Sequence, residues 1–125
     1  MTEDEITGKV IGAAIKVRQA LGPGLLESAY EQCLAYELNK TGFKFKQQHP
    51  MPLVYEEVKI DTGYRMDIWV EEKVVLEIKA VESFNDIHMA QLLTYLRLTK
   101  NKVGLLLNFN VSQMLKGIKR IVNNY

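Results

Sequence analysis

The sequence predicts an α/β protein in which one mixed β-sheet is flanked by helices, in the order α-α-β-β-β-α-β. Three observations lead there. Two helical apolar repeats open the chain and are separated by Gly22-Pro23-Gly24. After Gly42 the apolar period changes from helical to alternating. Strand, helix and strand then follow within about 35 residues, the span of a right-handed βαβ crossover.

The first helix opens with a capping box, Thr2 and Glu5, and carries Ile6, Val10, Ala13, Ala14, Val17 and Leu21 at helical spacing. Gly22 and Pro23 end it. The second helix presents Leu26, Ala29, Tyr30, Cys33, Leu34 and Leu38 on one face and stops at Gly42. Helices joined this tightly pack against the same core. Between Phe43 and Ile60, Pro50 and Pro52 remove backbone donors, so the stretch Leu53 to Ile60 is expected to supply the paired strand. Asp61-Thr62-Gly63 marks a turn. From Tyr64 to Val70 the chain alternates, with Tyr64, Met66, Ile68 and Val70 opposed to Arg65, Asp67 and Trp69. Val74 to Ala80 reads as a largely buried strand. A third helix, from Asn85 or Asp86 to Leu98, is apolar almost all round, which predicts burial. Val103 to Phe109 is a further short strand. The tail fits an edge strand through Ile118, Arg120 and Val122, or a helix through Leu115, Ile118, Ile121 and Val122; the strand is the reading adopted.

Composition sets the outer bounds. The 125 residues, 47% apolar and 25% charged, suit a single domain spanning 1–125 with a core of its own. Cys33 is the only cysteine, which excludes an internal disulfide framework and a four-thiolate zinc site. No apolar run reaches the ~18 residues of a membrane span, and the amino terminus is acidic where a signal peptide is basic. The expectation is a soluble, cytoplasmic protein with no membrane partner. Net charge is +1, but residues 1–62 hold seven basic and nine acidic side chains against nine and six in residues 63–125. That skew allows one mildly basic face and does not by itself argue for a nucleic-acid ligand.

The chemistry concentrates in the middle hairpin. If Glu71-Glu72-Lys73 closes it as a three-residue connection, Val70 faces Val74, Asp67 faces Glu77 and Arg65 faces Lys79. An even-length turn would set Asp67 against apolar residues. Directly opposed carboxylates repel one another and need compensation. Arg65 and Lys79 on the same face are one source. A divalent cation is a better one, since Mg²⁺ is bound by one or two carboxylates completed with water and phosphate oxygens. Lys79 would then position or activate an attacking water. The alternative is a solvated sheet face, against which stands the apolar character of the strand around Glu77 on both sides.

Two further groups converge on the same region. Glu27 lies in the first turn of the second helix, where the helix dipole alone accounts for a carboxylate. On the third helix, Gln91 and Tyr95 are four apart and share a face, with His88 one turn earlier. This polar stripe in an apolar helix reads as a site or as a satisfied core network.

Asp67 followed by Glu77-Ile78-Lys79 resembles the D…(D/E)-x-K signature of the PD-(D/E)XK nuclease superfamily. Gln91-Leu-Leu-Thr-Tyr95 resembles the Q-x-x-x-Y motif of its RecB-like members, and Gly24-Leu-Leu-Glu27-Ser-Ala-Tyr30 resembles the motif of the GxxExxY proteins. The resemblance runs from about Gly8 to Val122, with Met66 where the superfamily name has proline. It implies a restriction-endonuclease-like core. It also implies that Asp67, Glu77 and the Ile78 carbonyl ligate Mg²⁺, with Mn²⁺ as a substitute. Lys79 would orient or activate the hydrolytic water, Glu27 would approach the metal from its helix, and Gln91 and Tyr95 would shape the site or touch the nucleic-acid backbone. The implied activity is metal-dependent hydrolysis of phosphodiester bonds, with DNA as the first-choice partner, RNA as a weaker option and a homodimer compatible. The alternative is a catalytically silent nuclease-fold module that binds nucleic acid or acts as a scaffold within a complex.

Overall fold

The computed structural model describes every residue except Thr62 and Tyr125. Helix α1 (Glu3–Leu21) begins where the Thr2 side chain accepts a hydrogen bond from the Glu5 amide, as the capping signal requires. Helix α2 (Glu27–Thr41) ends at Gly42, whose left-handed backbone (φ 82°) closes the last turn. Two expected core positions lie outside: Leu21 and Leu26 are exposed, the latter 78% accessible, because they flank the turn that reverses the chain.

Five strands form the main sheet in the order β1-β4-β5-β6-β7: β1 (Phe45–Pro50), β4 (Arg65–Val70), β5 (Val74–Lys79), β6 (Val103–Asn108) and β7 (Ile118–Val122). Only β5 and β6 run parallel, joined across the sheet by α3 (Asp86–Thr99) as the expected βαβ unit. The tail is indeed an edge strand, antiparallel to β6, after a 3₁₀ turn at Met114–Gly117. The hairpin register is the expected one, Val70 opposite Val74 and Ile68 opposite Leu76.

The first strand is not where the prolines pointed. Phe45–Pro50 pairs along β4, while Leu53 to Ile60 forms a separate two-stranded hairpin, β2 (Leu53–Tyr55) with β3 (Val58–Ile60). As an edge strand β1 needs partners on one side only, so Pro50 at its end costs the ladder little. The expected turn at 61–63 includes Thr62, outside the described residues; beside it, the Gly63 amide donates to the Asp61 carboxylate.

The core lies in two layers. On one face α1 and α2 bury Ile6, Val10, Val17, Leu34 and Leu38 against Ile68, Val70, Leu76 and Leu105. On the other, Leu92, Tyr95 and Leu96 of α3 cover Met66, Val75 and Leu106. Helix α3 is not buried all round: Ile87 is 76% accessible and Leu98 is exposed, since the described residues provide no further layer over its outer face. His88 also departs from the polar stripe, closing a capping box with Asn85 at the start of the helix. Among the described residues no helix is long and apolar enough to cross a membrane.

Candidate active site

The carboxyl end of β5 is held from three directions. The Phe109 amide donates to the Lys79 carbonyl, and the Glu27 carboxylate accepts from the Ala80 amide at 2.8 Å. Buried Asn108 clamps Val81 twice, accepting from its amide and donating to its carbonyl. Lys79 is therefore carried on a backbone with little freedom.

The placement of Glu27 follows from its neighbours in sequence. Gly24 adopts φ 95°, a conformation that side-chain-bearing residues rarely reach, and so turns the chain into α2. Tyr30, fully buried, donates to the Gly22 carbonyl at 2.6 Å and accepts from the Leu25 amide at 3.2 Å. Its ring stacks on Phe109 with centroids 4.6 Å apart, tying the start of α2 to the end of β6. Tyr30→Phe leaves a part-buried carbonyl and amide short of a partner. It is expected to lower unfolding free energy by about 0.5–1.5 kcal/mol, read from urea denaturation.

Pairing between β4 and β5 stops at Ile68 and Leu76. Beyond it, side chains replace the ladder. The Asp67 amide donates to Glu77 Oε2 at 2.8 Å, and the Ile78 amide donates to Asp67 Oδ2 at 2.7 Å. Each carboxylate is thus braced by the other's strand. Met66 packs in the α3 layer while Ile68 packs in the α1–α2 layer, although a regular strand would put both on one face. The strand changes its facing at Asp67, which corrects the unbroken alternation expected from sequence.

Electrostatics mark the spot. Glu77 is 3% accessible, and burial first, then the Asp67 charge, raises its pKa to about 8 against the opposing pull of the Asp67 amide and Lys79. Asp67 is also raised, chiefly by burial, with Ile78, Gln48 and Lys79 opposing and Glu27 adding. On α3, Gln91 donates to the Tyr95 hydroxyl at 3.1 Å. Burial and the Glu77 charge push that phenol up to about 12, so it stays protonated.

Sequence reasoning missed Glu31 and Gln48. Glu31 is 6% accessible and accepts from Gln47 at 3.0 Å and Gln48 at 2.6 Å; the Gln48 amide also reaches Asp67 Oδ1 at 3.2 Å. Successive strand residues normally face opposite ways. Both glutamines reach one carboxylate because Gln48 has φ 50°. One signal for Glu31 was present: it lies four residues after Glu27, on the same face of α2. Burial and the Asp67 charge raise its pKa as well, with the two glutamines opposing.

Among the described residues, no three His, Cys, Asp or Glu side chains converge as a ready metal cage. The donor set nevertheless suits a hard cation. Asp67 and Glu77 are adjacent, desolvated and mutually repelling, and Mg²⁺ takes only one or two carboxylates before water completes its shell.

Comparison with known proteins adds one finding. A family model described as the PD-(D/E)XK nuclease superfamily matches residues 4–121. No curated protein and no solved structure matches the chain.

Proposed function

The chain belongs to the PD-(D/E)XK nuclease superfamily, and from that membership we propose that it is a metal-dependent nuclease whose site is built on Asp67, Glu77 and Lys79. The observation that carries the reading is the cross-brace between half-buried Asp67 and buried Glu77, two carboxylates with raised pKa values beside a lysine. Strongly perturbed carboxylates with a specific charge partner are a mark of functional sites.

In this reading Asp67, Glu77 and the Ile78 carbonyl would hold Mg²⁺, or Mn²⁺ in its place, with Glu27 approaching from the start of α2. The ion would neutralise charge on the phosphate and make its bound water more acidic. Lys79 holds the attacking water by its ammonium group, on a backbone anchored through Phe109. Tyr95, kept protonated, donates a hydrogen bond to a phosphate oxygen, and Gln91 fixes the direction of that hydroxyl. DNA is the proposed substrate, and GxxExxY membership, carried by Gly24, Glu27 and Tyr30, is part of the same proposal.

Trp69, two residues from Asp67, is the only tryptophan and reports on the site. Titration with paramagnetic Mn²⁺ is expected to quench its fluorescence saturably in the wild type and not in Glu77→Gln. Absence of saturable quenching in both proteins would favour the catalytically silent module.

A further inference from the structure

The outer face of α3 and the chain on either side of the β2–β3 hairpin enclose an open groove of about 430 Å³. Met51 and Tyr64 line one side, Ile87 and Leu98 the other, and Gln91 and Tyr95 lie between. Ile87, Leu98 and Tyr64 are all exposed, so apolar surface is offered to solvent where α3 was expected to be covered.

Two observations bear on what fills it. First, the groove borders the candidate site: Tyr95 lines it and packs in the same layer as Met66, the residue before Asp67. Second, its chemistry is mixed in a particular way. Tyr64 offers an aromatic face and the aliphatic side chains an opposing apolar wall. The Gln91 amide uses one N–H on Tyr95, leaving a carbonyl and a second N–H for a polar edge. Two apolar faces and one hydrogen-bonding edge, beside the site that would take the scissile phosphate, describe the base of a nucleotide. A paired and stacked base has those faces covered and cannot enter.

We propose that this groove receives an unpaired nucleotide of the substrate, so that the protein acts on nucleic acid that is single-stranded at or beside the scissile phosphate. The proposal rests on the nuclease reading and narrows its substrate class.

The test is fluorescence anisotropy with a fluorescein-labelled single-stranded DNA oligonucleotide and the blunt duplex of the same sequence. The full chain is used in Ca²⁺ buffer, as wild type, Ile87→Glu and Tyr64→Ala. Ile87 is exposed, so its substitution leaves the fold in place, which thermal unfolding verifies. The wild type is expected to bind the single strand at least about tenfold more tightly than the duplex. Both substitutions are expected to weaken single-strand binding about tenfold, the effect of removing one stacking platform, and to leave duplex binding unchanged. Equal affinity for the two oligonucleotides, or wild-type single-strand binding by Ile87→Glu, overturns the proposal. So does an Ile87→Glu protein that turns a dimer into a monomer in light scattering while binding oligonucleotide normally, which makes the face a self-association surface. The two readings fail separately. Mg²⁺-dependent cleavage of the single strand at the wild-type rate by Ile87→Glu removes only the groove, whereas single-strand binding through the groove without Mg²⁺-dependent cleavage removes only the nuclease.

Discussion

Lys79→Met is expected to lose about 10²–10⁴-fold in cleavage rate while still binding Mn²⁺. The lysine brings no carboxylate to the cation, so removing it leaves Asp67 and Glu77 in place. Its ammonium group nonetheless acts on both of them, opposing the rise of each pKa. That proximity puts the positive charge where a water approaching a phosphate on those carboxylates would pass. Methionine keeps much of the stem's packing and removes only the charge and the donors. Single-turnover cleavage together with Mn²⁺ titration separates the two effects. A variant that binds metal and cleaves at the wild-type rate would show that Lys79 has no part in the chemistry.

Glu77→Gln is expected to abolish metal binding and, without metal, to make the protein more stable above neutral pH. The sign follows from proton counting. Folding raises the Glu77 pKa from 4.5 to about 8, so between those values the unfolded chain has released a proton that the folded chain retains. Stability contributed by this group is therefore lost as pH rises across that window, by up to about 1.4 kcal/mol per unit. Asp67 and Glu31 are displaced in the same direction and add to the slope. Glutamine cannot ionise and still offers an oxygen to the Asp67 amide. At pH 8 its advantage is expected to be on the order of 2 kcal/mol, read from urea unfolding. Metal binding by the wild type has the converse dependence. It must release the Glu77 proton, so Mn²⁺ affinity is expected to rise about tenfold per pH unit between 6 and 8. Affinity that stays flat over that range would mean Glu77 is already ionised or is not a ligand.

Much of this arrangement was legible in the sequence because local chemistry dictates it. The Thr2 cap, the Gly42 stop and the register across residues 71–73 each depend on a few adjacent residues, and each stands as expected. The register alone was enough to bring Asp67 and Glu77 onto neighbouring positions. What was misread depends on tertiary context. Pro50 argues against a strand only when both sides of that strand must pair, and β1 turned out to be an edge. The apolar outer face of α3 predicts burial only if the chain has something to cover it, and among the described residues no element does so over Ile87. Glu31 and Gln48 were missed for a third reason: they meet through the positive φ of Gln48 in mid-strand, which no residue type in that stretch announces. Tyr30 shows the reverse. Its motif drew notice as part of a functional signature, yet its hydroxyl is spent on the α1–α2 turn, positioning Glu27 rather than reaching the site.

The most direct measurement is cleavage of end-labelled DNA, single-stranded and duplex, by the wild type and by Asp67→Asn, each in Mg²⁺, in Mn²⁺ and in excess EDTA. Asparagine keeps an oxygen for the Ile78 amide, so the cross-brace survives while the charge that would hold the ion is removed. Products that appear only with the wild type and only with a divalent cation are the expected result. Cleavage that persists in EDTA, or that Asp67→Asn performs as fast as the wild type, would contradict a metal-dependent nuclease site at Asp67 and Glu77.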